Sequence, residues 1–516
     1  MSKRYSSLNG SPLDRDNDLN QNNKDDIIFE QDSDSFNNDV FQPQASLDDM
    51  ESLGYDEGAL DDEEMDYEGT LNDAVSNETT DVNSPLASII KEPRGTLKAA
   101  FFNMTNSIVG AGIVGIPMAF RSMGFFSGVL LLMVLAAVND WTLRLIILNT
   151  KLSGGKTYTS FVSRTYGTFG RVVVLLAQGF FAFGGSVGFA VIIGDSIPHV
   201  LRSIFSDAVD DSKILDFLFS RNPVIVFCIT FISYPLSLTR DISKLAKASG
   251  LALISMLVII TIVLVRGPSV SDSMRGSIKG SAWFLQPDIF QGISVISFAM
   301  VCHHNTTFIY DSIRKPTLDR FNAVTHLSCI VSTILCALLG ISGYLIFGNK
   351  TKGNILNNFP TNDPAINVAR FCFGLNMLTT FPLEIYVVRE VFKQLIAIYH
   401  DESVDGTESD SVSLKDLTTF QHFVITSIVS FLPMIISLFT CNLGAVLELV
   451  GATSGSIIAY IFPPLCYDKM TKFGKSKLKR APLMICVVFG FVLMIVSSTQ
   501  TIADSLTGKH GNHCVE

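Results

Sequence analysis

Charge is scarce in this 516-residue chain. Asp, Glu, Lys and Arg make up 17% of it and hydrophobic residues 48%, with a mean hydropathy of +0.37. Average soluble proteins carry about 25% charged residues, so the shortage excludes water as the solvent for most of the chain. Enzyme motifs are also missing: there is no Walker loop, no HExxH and no GxSxG. Gly110-Ala111-Gly112 lies in an apolar run without a strand before it, and so is no dinucleotide fingerprint. The nine cysteines form no CxxC and no metal-ligand spacing. Cys228, Cys329, Cys336, Cys372 and Cys486 sit in apolar runs, as packing residues do, and no disulfide framework or metal site is expected. No apolar h-region occurs between Met1 and about Glu92, which leaves no secretory signal peptide to read.

What is present divides sharply. Up to Lys91 there are 23 acidic and 5 basic residues, a net of −18 out of the whole chain's −10, so the remainder is mildly basic. Residues 1–92, rich in Asp, Glu, Asn and Ser, cannot bury enough apolar surface to offset ordering, and a disordered tail is expected. The run Asp61-Asp62-Glu63-Glu64-Met65-Asp66 reads first as a solvated segment. Its Ser- and Thr-rich surroundings leave room for kinases or sorting factors as partners. A tail this acidic gives no footprint for nucleic acid.

Beyond Glu92-Pro93-Arg94 the hydrophobic segments begin. Helices are expected at about 95–121, 124–149, 171–200, 222–239, 245–266, 286–311, 324–347, 365–398, 419–441, 443–465 and 481–505. Most reach the ~20 residues that cross a bilayer, giving an all-α polytopic membrane protein of about eleven spans. The division of 419–465 rests on Asn442 and Gly444 alone. Lys and Arg concentrate in alternate loops: Lys151, Lys156, Arg164 and Arg171, then Arg240, Lys244 and Lys247, then Arg314, Lys315 and Arg320, then Lys469 through Arg480. The positive-inside rule then places the tail in the cytoplasm and residues 507–516 on the far side. Asn349-Lys350-Thr351 becomes a glycosylation acceptor on that far side, and a Cys441–Cys514 bond is weakly motivated by position.

The first long segment is broken where it should run on. Thr105-Asn106-Ser107-Ile108-Val109-Gly110-Ala111-Gly112-Ile113-Val114-Gly115-Ile116-Pro117 carries three glycines and a proline. In hydrocarbon, open backbone survives only where protein covers it or a cavity meets it. The stretch is therefore a packing face or an unwound binding segment, and the pattern alone does not choose. The sixth segment has a second interruption at Val301-Cys302-His303-His304-Asn305, with polar side chains at mid-span. Two broken helices in first and sixth place are what an inverted five-plus-five repeat predicts, with half-helix ends meeting near the midplane. The pairing favours the site reading, although His303 and His304 could also bond buried carbonyls. In the eighth segment, Thr379 and Thr380 precede Pro382 and Glu384. The hydroxyls suit a hard cation, but threonines beside a proline commonly bond back to their own helix. Glu384 needs a partner or a proton inside the membrane, and Asp195 and Glu448 are secondary acids expected nearer the interfaces.

These residues resemble the amino acid/auxin permease family. The resemblance is carried by Phe101 through Pro117, by Val301–Asn305, by Thr380-Phe381-Pro382-Leu383-Glu384 with Val388-Arg389-Glu390-Val391, and by Leu443 through Gly451. It covers about residues 93–505, in order, and is nearest to the sodium-coupled neutral amino acid transporters and the fungal vacuolar amino acid transporters. It implies a LeuT-like fold, ten helices in the inverted repeat plus one added at the end, within a transporter domain of 93–506. It also implies coupled transport of neutral L-amino acids with no cofactor beyond a coupling ion, H+ or Na+. The implied substrate residues are Asn106, Ser107, Gly110, Ala111, Gly112, Val301, Cys302, His303, His304 and Asn305. Asn106 and Thr380, or Thr379 beside it, would serve sodium; Glu384, or the histidine pair, would carry protons. Many sodium-coupled members have proline after their Cys-His pair, whereas this chain has His304-Asn305. The resemblance points to a vacuolar membrane, with the endoplasmic reticulum or plasma membrane as alternatives. An amino-acid sensor signalling through the acidic tail is the competing reading.

Overall fold

The structure is a computed structural model and describes residues 96–240, 249–399, 417–471 and 477–507. The acidic tail, Lys244, Lys247, Lys472, Lys475 and Cys514 lie outside the described residues, as does every reading that rests on them. Cys441 is disulfide-bonded, and seven other cysteines are free thiols.

Among the described residues the secondary structure is helical. The first segment is α1 (Leu97–Ile108) and α2 (Ile116–Met123), separated by a break; α3 (Phe125–Ser153) and α4 (Tyr158–Ile204) follow. Next come α5 (Arg221–Cys228), continued by a π-turn at Ile229–Ser233, and α6 (Ser249–Arg266). A second broken segment comprises α7 (Ile289–Met300) and α8 (Thr306–Ser312). The rest are α9 (Leu318–Phe347), α10 (Pro364–Tyr399), α11 (Thr419–Phe439), α12 (Leu443–Val450), α13 (Phe462–Thr471) and α14 (Lys477–Leu506). Nine of these stretches, with α1–α2 and α12–α13 each counted as one, are long and apolar enough to cross a membrane. Each of the expected helices has a helical counterpart; the two outside the nine are the short α5 stretch and the broken α7–α8.

The ends of these helices follow local chemistry. Thr96, Thr317 and Asn442 accept from the amides of Ala99, Arg320 and Ala445, while Thr157/Ser160 and Thr418/Gln421 form full capping boxes. The boundary between the ninth and tenth stretches falls at Asn442, as its side chain requires. The fourth helix departs most from expectation, beginning at Tyr158 rather than 171. The charged residues that suggested a loop do not end it: Arg164 is exposed while its neighbours Phe161, Val162 and Thr165 are buried. Its bend comes at Gly167, whose φ of 68° is open to glycine without penalty.

The longest helix, α4, packs along α10 more extensively than any other pair packs. The second broken segment is central: α7 contacts α2, α3, α12, α14 and the break after α1. Small residues bring these helices close. A methyl group on Gly451 would stand 2.0 Å from the carbonyl oxygen of Ser294 in α7, and one on Gly184 would stand 2.1 Å from Val450. Such close crossing is how helices associate where lipid is as apolar as the side chains. On one face, arginines fasten the segment between α9 and α10. Arg121 of α2 donates to the Thr351 carbonyl (2.7 Å), and Arg370 of α10 donates to the carbonyls of Leu356, Phe359 and Pro360.

Candidate functional site

The first break consists of Val109, Gly110 and a 3₁₀ turn, Ala111–Gly115, after which Pro117 sits in the opening turn of α2. Proline suits that position because its missing N–H would have no helical partner there. Val109 N–H still reaches the Thr105 carbonyl (2.8 Å), and Ile113 N–H reaches Gly110 (3.3 Å). Between them, the amides of Gly110, Ala111 and Gly112 have no hydrogen-bond partner among the described residues. The second break has the same form. Val301 N–H bonds Ser297 (3.0 Å) and Asn305 N–H bonds Cys302 (3.0 Å), leaving the amides of Cys302, His303 and His304 without described partners. Helix ends always leave such groups. Here, two sets of them occur inside the protein.

The breaks touch. A methyl group on Gly112 would lie 2.5 Å from the Cα of Ala299, and one on Gly115 would lie 2.9 Å from Leu447 and 3.2 Å from Val295. Gly112 and Gly115 therefore work as close-packing positions. Gly110 differs, since a methyl group there would meet only the carbonyl oxygens of Asn106 and Ser107, at 3.8 and 3.9 Å. The sequence left packing face and unwound segment as alternatives; in the structure the two coexist within six residues.

Val301, Cys302, His303 and His304 are buried, whereas Asn106, Ser107 and Asn305 are half-buried. His303 Nε2 lies 2.7 Å from the Thr142 hydroxyl of α3, while its Nδ1 has no partner. Both ring nitrogens of His304 are without partners among the described residues, and its ring lies against Phe181 of α4 (5.1 Å between centroids). Phe181 also stacks on Phe298 (5.3 Å), and the π-turn Gly451–Gly455 after α12 approaches Val301 and Phe181. The wider i→i+5 ring of a π-turn recurs at functional positions.

The eighth-segment residues separate. The Thr379 hydroxyl donates to its own helix, to Leu375 and Asn376 carbonyls; Thr380 reaches the Asn376 carbonyl (2.8 Å) and its side-chain Oδ1 (3.0 Å). Both threonines thus bond back to α10. Glu384 faces Gly185 of α4, with one carboxylate oxygen shielded and without a hydrogen-bond partner. The two secondary acids are both covered by protein. Asp195 is 3% exposed and Glu448 0% exposed. Asp195 lies 3.6 Å from Arg221 and accepts from Asn357 (2.9 Å); Glu448 accepts from Thr501 of α14 (3.2 Å) and leaves its other oxygen unpartnered. Helix ends that looked exposed by counting residues are covered by the α9–α10 connection and by α14.

The sequence reading missed Asn139, Thr142, Tyr460 and Phe181, which surround the second break. The Asn139-Asp140 pair at the middle of the second apolar run was the available signal, because mid-span polar groups seek partners. Two cavities stand apart from the breaks. One of about 800 Å³ lies among Pro198, His199, Arg202, Arg221, Phe227 and Leu438, and one of about 350 Å³ lies between α3 and α9 beside Asp140 and His326.

Comparison with known proteins gives this geometry a family. The chain is 46% identical over 440 residues to vacuolar amino acid transporter 2 of Saccharomyces cerevisiae, covering 84% of this chain and 90% of the yeast protein. A Bos taurus protein provisionally named sodium-coupled neutral amino acid transporter 11 is 31% identical over 80% of this chain and 84% of its own. Sodium-coupled neutral amino acid transporter 7 of Danio rerio is 25% identical over 77% of this chain and 84% of its own. The family described as transmembrane amino acid transporter protein matches residues 93–503, so this chain belongs to that family, the amino acid/auxin permeases, whose members are transporters and not enzymes.

Proposed function

We propose that the protein is a secondary active transporter moving neutral L-amino acids across a vacuole-type membrane, coupled to a proton or sodium gradient. The observation that carries this reading is the pairing of two broken helical segments whose unpartnered amides lie within buried protein and whose backbones meet at Gly112 and Ala299. Bare N–H groups at a half-helix start attract a carboxylate, and the carbonyls ending α1 and α7 attract an ammonium group. An amino acid carries both charges on one carbon. Asn106, Ser107, Gly110 and Ala111 would meet it from the first segment, and Val301, Cys302, His303, His304 and Asn305 from the sixth; Gly112 would hold the two breaks together.

The eleven helical stretches, with interruptions in the first and sixth, support a LeuT-like arrangement of ten helices plus one, the tail in the cytoplasm by its loop charges. The vacuolar assignment rests on the 46%-identical yeast relative. Coupling would use Glu384 for protons, or Asn106 with Thr380 for sodium; Thr380's hydroxyl donates to Asn376, which leaves its lone pairs open to a cation.

The test is uptake of a radiolabelled amino-acid panel into proteoliposomes under imposed pH or sodium gradients. A pH gradient accelerating uptake of small neutral amino acids is the expected result. Uptake of none of them, under either gradient, would overturn the coupled-transport reading.

A further inference from the structure

The second break has two lips, Ser297 of α7 before it and His303 in the 3₁₀ turn His303–Asn305 that closes it, and both connect to one face of α3. Thr142 and Asn139 are three residues apart on that helix and therefore share a side. Thr142 contacts His303 directly (2.7 Å). Asn139 donates to the hydroxyl of Tyr460 (3.3 Å), which donates to Ser297 (3.1 Å). Asn139, Thr142, Tyr460, Ser297 and His303 are all fully buried, so water does not compete for these bonds.

The hydrogen count gives this arrangement a direction. A threonine hydroxyl has a single hydrogen. That of Thr142 has two acceptors on its own helix, 2.9 Å away at the Val138 carbonyl and 3.2 Å away at that of Asn139. With the hydrogen assigned to the helix, the hydroxyl accepts from His303 (2.7 Å), which puts the ring hydrogen on Nε2 and leaves Nδ1 as an acceptor. Nδ1 is buried and has no partner among the described residues. A buried acceptor without a donor is costly, and the cost is relieved when a donor arrives.

We infer that Asn139 and Thr142 form a two-point brace from α3 that fixes the separation of the two lips of the sixth-segment break, and that Thr142 sets His303 to offer Nδ1 as an acceptor to the ammonium group of a bound amino acid. The ammonium part rests on the transport reading above; the brace does not. Asn139, Thr142 and Tyr460 are positioning residues, since each acts through His303 or Ser297.

The experiment compares Thr142→Val, which keeps shape and loses the hydroxyl, with Thr142→Ser, which keeps the hydroxyl. Two readouts are needed: KM and maximal rate of amino-acid uptake in proteoliposomes, and labelling of the buried thiol of Cys302 by N-ethylmaleimide, with Cys302→Ala as the blank. Thr142→Val is expected to raise KM about tenfold, the effect of one hydrogen bond to a buried group, with maximal rate changed far less. Cys302 labelling should rise in the same variant, and Thr142→Ser should restore both values. Tyr460→Phe, which removes both bonds of the Asn139–Tyr460–Ser297 relay and leaves the Thr142–His303 contact, should also raise Cys302 labelling and serves if Thr142→Val does not accumulate. Wild-type Cys302 labelling in the variants overturns the brace, whatever happens to KM. If the wild type transports nothing while Cys302 labelling responds as expected, the transport reading falls and the brace stands.

Discussion

At the scale of single residues, glycine and arginine carry different burdens here. Gly110 and Gly112 look equivalent in sequence, yet only Gly112 has a helix backbone within 2.5 Å of where a methyl group would be. Gly112→Leu is therefore expected to push α7 away and lower the yield of folded protein, measured by fluorescence-detected size-exclusion chromatography. Gly110→Ala should fold as the wild type does, so any loss of uptake in that variant reports on binding. Arg370, 1% exposed, holds four oxygen partners: three carbonyls and Asn367. Arg370→Met should leave those carbonyls buried and unpaired, at about 1–3 kcal/mol each. A fall of the detergent melting temperature is the expected outcome; an unchanged value would show that the α9–α10 connection is held by something else.

At the scale of elements, helix ends decide most of the architecture. Asp363 caps α10, accepting from Ala365 (3.0 Å) and Ile366 (3.3 Å), while Arg266 approaches it at 2.6 Å. Burial alone would raise its pKa, but Arg266 and the two amides outweigh it and hold the carboxyl below its usual range. A depressed carboxylate contributes stability that is present above its unfolded-state pKa and lost as pH falls through the folded value. Asp363→Ala should thus cost about 1–2 kcal/mol near neutral pH, as lost caps do, and the difference from wild type should vanish well below pH 4. Melting curves in detergent at both pH values check it. A difference that persists in acid would mean the loss comes from packing. The legibility of elements also differed by type: Asn442 marked a start that the structure shows, whereas the start at Tyr158 and the bend at Gly167 lie in a stretch that its loop charges seemed to exclude from the helix.

At the scale of the whole molecule, the membrane part and the acidic tail raise separate questions. The family match begins at residue 93, just beyond the acidic stretch. Deleting residues 1–90 is expected to leave amino-acid flux in proteoliposomes close to that of the full chain. Retained ligand binding with lost downstream signalling in cells, and no flux in either form, would favour a sensor instead.

The sequence by itself determined the solvent, the helical class, the ordering of the segments and the location of both breaks. Each of these is written in local composition: charge scarcity, run length, and glycine, proline or histidine where a spanning helix should continue. Tertiary structure decided what each residue in the breaks does. Thr379 and Thr380, open to a cation or to their own helix by sequence, bond their own helix; Glu448 and Asp195, near helix ends by sequence, are covered by chain from elsewhere. Asn139, Thr142 and Tyr460 carried no motif, because what matters about them is a set of contacts across 161 to 321 residues of chain. Periodicity and composition report on a residue's own neighbours in sequence. Whether a glycine opens the backbone or admits another helix depends on what stands opposite, and only the packed molecule supplies that.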